Sequence, residues 1–91
     1  MSQRASVQVK ICNRLGLHAR PATTFAQLAT TFKSAITIRH EDEEVDGKSV
    51  MQILMLGATQ GAPLEITAQG PDAKDALDEL TELVKAGFGE E

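Results

Sequence analysis

The feature that most constrains this chain is a change of hydrophobic period across Gly16-Leu17-His18-Ala19-Arg20-Pro21-Ala22. Before it, Val7, Val9 and Ile11 alternate with Gln8 and Lys10, the period of a strand with one buried face. After it, apolar residues recur as Ala22, Phe25, Ala26, Ala29 and Phe32, the three-and-four spacing of a helical stripe. Pro21 is tolerated in the first turn of a helix, where its missing N–H has no intrahelical partner to lose. The pattern therefore predicts a helix from Ala19 to about Phe32, with His18 as the half-in residue before it. Residues 13–16 form the turn, and Gly16 can take backbone angles that a side chain would forbid.

That placement gives His18 a particular environment. The first N–H groups of a helix lack partners, and its dipole is positive at that end. An anion is stabilised there, and phosphate is the usual one. Arg20 adds a permanently charged fork that matches phosphate oxygens. Imidazole is a competent nucleophile near neutral pH, so His18 is a candidate phosphoryl carrier. A histidine that only fills the turn before a helix fits the same spacing, and the residues alone leave both readings open.

The remaining order follows from similar patterns. Ala35 to His40 alternates as a strand with Ile36 and Ile38 on one face. Glu41-Asp42-Glu43-Glu44 is too charged to bury and is expected as a hairpin turn, with Val45 starting a short return strand cut off at Gly47. Ser49 is an N-cap candidate for a short helix running from Val50 to Leu56. That helix is apolar nearly all round, so some of Val50, Met51, Leu54 and Met55 are expected to stay exposed as a partner surface; full burial is the alternative. Leu64, Ile66 and Ala68 alternate again, Gly70-Pro71-Asp72 turns and caps a last helix, and Ala76, Leu77, Leu80, Leu83 and Val84 form its buried stripe. The ending Gly87-Phe88-Gly89-Glu90-Glu91 is expected to fray. Strand, helix, strand, strand, helix, strand, helix suits an antiparallel sheet covered on one face, the α+β class. Ninety-one residues suffice for one domain, 1–91.

Composition excludes several functions. With three Phe, no Trp or Tyr, and a net charge of −4, the chain lacks the stacking aromatics and basic balance of a nucleic-acid surface. Arg14, Arg20 and Lys48 could still form a local basic spot. No apolar run approaches the ~20 residues of a membrane span, and the first residues lack a signal-peptide core, so a cytoplasmic chain is expected. Cys12 is the single cysteine; it reads as a small buried hydrophobe, with a reactive thiol the alternative. Two histidines and one cysteine make a structural zinc site improbable, and the acidic run beside His40 matches no ligand motif. Asp46-Gly47-Lys48-Ser49 lacks the earlier glycine of a P-loop, because position 42 is Asp42.

Gly16-Leu17-His18-Ala19-Arg20-Pro21-Ala22, Lys48-Ser49-Val50-Met51 with Leu56-Gly57, Gly61 and the strand containing Ile66 together resemble the HPr family, the histidine-containing phosphocarriers of the bacterial phosphotransferase system. The resemblance covers roughly residues 7–84. It implies an open-faced sandwich of four antiparallel strands and three helices, and a carrier rather than an enzyme. It implies that His18 accepts phosphate through Nδ1 from enzyme I and donates it to enzyme IIA domains. Arg20 then steadies the phosphoryl group, beside the backbone amides of Ala19 and Arg20. Ser49 matches the serine modified by HPr kinase/phosphorylase in many members. Its phosphorylation, adding about −1.5 to −2 charges, would act on a partner docked over Val50, Met51 and Leu54, or recruit a catabolite-control transcription factor. Asp46-Gly47 and Gln52 depart from the pattern of kinase-regulated members. Residues 13–16, Gly70-Pro71 and the acidic ending lean toward the nitrogen-branch paralogue NPr, whereas Lys48-Ser49-Val50-Met51 and Leu56-Gly57 lean toward HPr. No cofactor and no metal are implied, and a monomer is the default.

Overall fold

A computed structural model describes residues 3–90. The element order is β1 (Gln3–Lys10), α1 (Ala19–Ala29), β2 (Ala35–His40), β3 (Glu43–Asp46), α2 (Val50–Met55), β4 (Pro63–Gly70) and α3 (Ala73–Lys85), followed by a single 3₁₀ turn at Gly87–Gly89. The four strands form one antiparallel sheet in the order β1-β4-β2-β3. Helices pack on one face of it, giving the open-faced α+β sandwich expected from the sequence.

Register explains why only one face is covered. Val7 pairs with Ile66, Ile66 with Ile38, and Ile38 with Val45, an apolar row running across all four strands. One residue further along, Gln8, Glu65, Arg39 and Glu44 form the neighbouring row, which points the other way. A slip of one residue would exchange the two rows, so the core itself fixes the pairing. The inner row meets Ala22, Phe25, Ala26 and Ala29 of α1, Ile53 of α2, and Ala73, Ala76, Leu77, Leu80 and Val84 of α3 in one buried cluster. Each fully buried large apolar side chain in that cluster contributes roughly 1.5–3 kcal/mol.

Two boundaries and two residue placements differ from the sequence reading. Helix α1 stops at Ala29 rather than near Phe32, because Thr30 and Thr31 turn their hydroxyls onto the carbonyls of Gln27 and Leu28, a local bond that competes with helix. The hairpin turn is only Glu41 and Asp42; Glu43 and Glu44 belong to β3, where an edge strand can carry exposed charge. Asp72 occupies the N-cap position of α3 but makes no capping bond. Its carboxylate instead accepts from the N–H of Lys33 at 2.9 Å, and from the N–H and hydroxyl of Ser34 at 2.9 and 2.5 Å. Cys12 is exposed, not buried, with its sulfur beside the terminal carbonyls of α3 at Val84 and Lys85.

The fifth difference matters most for the site. The ending expected to fray is ordered through Glu90: residues 87–89 form a turn, and Phe88 is buried against the core. Glu91 lies outside the described residues.

Candidate functional site

The loop from β1 to α1 builds the site. Asn13, buried, donates its side-chain N–H to the Gly16 carbonyl at 2.8 Å, and the Gly16 N–H donates to the Asn13 carbonyl at 3.2 Å. Leu17 N–H is tied to the Ala58 carbonyl at 3.0 Å, which pins the loop to the segment after α2. Gly16 is required here twice over. Its φ is +68°, and a Cβ would lie 2.5 Å from the Ala58 oxygen and 2.8 Å from Thr59 Cα. With that close approach, the chain turns and presents His18 at the start of α1.

His18 is the N-cap residue, extended at φ −84° and ψ −169°, and its ring makes no bond to the helix backbone. The His18 carbonyl accepts the Ala22 N–H at 3.1 Å, the first bond of α1. Pro21 supplies no N–H. The amides of Ala19 and Arg20 are therefore left without a partner among the described residues, the anion-binding arrangement of a helix start. The ring is 36 % exposed, and Arg20 projects from an exposed position two residues on.

The ring is held from one side only. His18 Nε2 lies 2.8 Å from Glu90 Oε1, and the same oxygen accepts the side-chain N–H of Asn13 at 2.8 Å. The hydrogen bond from His18 holds the Glu90 carboxyl below its ordinary range, helped by Asn13 and by the nearby charge of Arg20. An ionised carboxylate can only accept, so Nε2 is the donor of this pair, and in the neutral form of the ring the electron pair is left to Nδ1. Nδ1, bonded directly to Cγ, is the ring nitrogen nearer the main chain and has no protein partner among the described residues.

The other residues singled out in the sequence fall into two groups. Ser49 caps α2, its oxygen accepting the Gln52 N–H at 3.3 Å, and Val50 is half-buried. Met51 and Met55 are 74 % and 70 % exposed, and Leu54 lies at the edge of exposure. Leu15, in the site loop, is the fourth exposed large apolar side chain among the described residues. Lys48 does not join Arg20 in a basic spot: its Nζ binds the Phe32 carbonyl at 2.8 Å, beyond the far end of α1. That helix of 11 residues is about 16 Å long, which separates Lys48 from Arg20.

Sequence reasoning missed Asn13, Phe88 and Glu90 as parts of the site. The one local trace is a pair of glycines flanking a phenylalanine, which permits a tight left-handed turn but does not by itself call for burial of Phe88.

The fold and site define a class: a small domain presenting one imidazole at a helix start to whatever docks over it. Comparison with known proteins makes this specific. The family description "PTS HPr component phosphorylation site" matches residues 5–86. The chain is 42 % identical over 82 residues to the phosphocarrier protein HPr of Neisseria meningitidis, covering 90 % of this chain and 92 % of that one. It is 44 % identical over 92 residues to the phosphocarrier protein NPr of Proteus mirabilis, covering all of both. The crystal structure of an HPr from Thermoanaerobacter tengcongensis superposes with a TM-score of 0.92 at 40 % identity, covering 96 % of this chain and 98 % of that one. The chain belongs to the HPr/NPr family of phosphocarriers of the phosphotransferase system.

Proposed function

We propose that this protein relays a phosphoryl group on His18, accepting it from the phosphohistidine of enzyme I and donating it to enzyme IIA domains. The observation that carries the reading is the partly exposed His18 ring at the start of α1, where Nε2 is engaged by Glu90, Nδ1 has no protein partner and the first two helix amides are partnerless among the described residues. In the forward step the Nδ1 electron pair attacks phosphorus and the bond from phosphorus to the donor nitrogen breaks. In the onward step the Nδ1–P bond breaks and its electrons return to the ring. The Ala19 and Arg20 amides and the Arg20 guanidinium stabilise the equatorial oxygens in both directions. No second nucleophile is needed, because the protein carries the group and its partners supply the chemistry at each end.

Val50, Met51 and Leu54, with Leu15 and Met55, form the apolar docking face for these partners in this reading; flexible, polarizable Met suits a surface that meets more than one protein. Ser49 stands at the edge of that face. A phosphate there would carry about −1.5 to −2 charges, would be tolerated at a helix start, and would repel an acidic partner. That is the proposed route by which an HPr kinase/phosphorylase would regulate the relay. The present engagement of the Ser49 oxygen with Gln52 N–H is that of a plain cap.

Incubation with phosphoenolpyruvate and enzyme I tests the relay. The expected product is an acid-labile, base-stable adduct that disappears in His18→Ala; an undiminished yield in that variant would overturn the reading.

A further inference from the structure

The relay reading leaves one question of chemistry open: imidazole has two nitrogens, and nothing in a bare helix start selects between them. We propose that Glu90, carried by the Gly87–Gly89 turn, is a positioning residue that selects Nδ1 of His18 as the phosphoryl acceptor and holds the ring proton at Nε2 while the group arrives and leaves. This inference rests on the proposed phosphoryl-carrying role of His18 and adds a residue the relay does not by itself require.

The turn that delivers Glu90 is built rather than incidental. Gly87, Phe88 and Gly89 all have positive φ, at 65°, 58° and 78°. For glycine that is free, but for phenylalanine it is unfavourable, and a residue held there needs surrounding structure to fix it. Burial of the Phe88 ring, 6 % exposed, supplies that structure. The turn packs against α3 and α1, and the Glu90 N–H closes onto the Gly87 carbonyl at 3.0 Å. The Glu90 carboxylate then reaches back across the chain from residue 90 to residues 13 and 18.

Asn13 is the second half of the device. It is 2 % exposed, and its amide donates both to the Gly16 carbonyl and to Glu90 Oε1, each at 2.8 Å. One buried side chain thus ties the loop that presents His18 to the carboxylate that orients it. Glu90 Oε1 lies on the Nε2 side of the ring, 2.8 Å from that nitrogen, where it blocks approach of a phosphorus atom to it; Nδ1 has no such partner among the described residues.

The same contact helps the transfer itself. As Nδ1 bonds to phosphorus, positive charge develops on the ring, and the Glu90 carboxylate faces the Nε2–H that carries it. When the Nδ1–P bond breaks toward an acceptor, the electron pair returns to Nδ1 and the ring leaves neutral, with its proton still on Nε2. No proton has to move in either direction. The charged and titratable groups facing Glu90 are His18 and Arg20, so the contact is intact wherever the carboxylate is ionised.

The test is phosphorylation of the full chain by potassium phosphoramidate, a small donor that requires no partner protein. The phosphorus atom moves from the nitrogen of the donor to the imidazole, and ammonia leaves. The attachment site is read from phosphorus and long-range proton–nitrogen couplings by NMR. Wild type is expected to carry phosphate on Nδ1 alone. Glu90→Ala is expected to react on the order of 10-fold more slowly at Nδ1 and to show a substantial share of phosphate on Nε2. Glu90→Gln, whose amide oxygen can still accept from Nε2 and Asn13, is expected to restore attachment to Nδ1 without restoring the full rate. Glu90→Ala reacting at the wild-type rate and on Nδ1 alone would overturn this inference while leaving the relay intact. An adduct that persists in His18→Ala would overturn the relay reading instead.

Discussion

At the scale of single residues, the site depends on groups whose partners are fixed. His18 has one ring nitrogen engaged by Glu90 and the other free. Arg20 is exposed, so its contribution to transfer should fall below the roughly 10²–10³-fold of a donor in a water-excluded site. Arg20→Ala is expected to slow transfer from enzyme I on the order of 10-fold, measured as the single-turnover rate. Asp72 shows how a carboxylate can serve structure instead. Its hydrogen bonds from the Ser34 hydroxyl, the Lys33 N–H and the Ser34 N–H hold its pKa at about 2, below the ordinary 3.8. The native state therefore binds fewer protons than the unfolded chain between those values, and stability rises with pH across that window. The stability gap between wild type and Asp72→Ala should be full above pH 3.8 and shrink as the pH falls through about 2, read from urea unfolding at a series of pH values.

At the scale of elements, the junction into α1 and the ending after α3 make opposite lessons. The junction was legible because three independent signals coincide there: the period changes from two to three-and-four, Gly16 stands at the turn and Pro21 in the first helical turn. Glycine 16 carries the geometry, and Gly16→Ala should cost about 3 kcal/mol, combining a left-handed alanine with overpacking against Ala58 and Thr59. Denaturant unfolding measures it. The ending was illegible for a physical reason. Two glycines and two glutamates read locally as solvent-loving, and the burial of Phe88 depends on contacts with a core assembled from distant segments. Asn13 was hidden in the same way, since its partners are 77 residues away at Glu90 as well as three away at Gly16. Phe88→Ala should lower stability by about 3 kcal/mol and release the Glu90 contact, visible as a change in the His18 ring resonances. Cys12 misled through its neighbours: it follows a buried Ile11 and precedes a buried Asn13, yet it lies at the surface with its sulfur against the end of α3 rather than in the core.

At the scale of the whole molecule, the sheet and helices separate two jobs. The inner apolar row and the three helices hold the fold, while Leu15, Met51, Leu54 and Met55 remain outside the core. In the proposed reading those residues form the docking face, so their substitution should separate binding from stability. Met51→Asp is expected to weaken the complex with an enzyme IIA domain at least 10-fold, about 1.4 kcal/mol, while changing unfolding free energy by no more than about 0.5 kcal/mol. Calorimetric titration and thermal unfolding of the same variant give both numbers. The proposed relay stands on the identity of one atom. NMR of the full chain after reaction with phosphoenolpyruvate and enzyme I identifies the atom that carries phosphorus. The predicted result is a single adduct on Nδ1 of His18, and phosphorus found on Nε2 or on any other residue would contradict it.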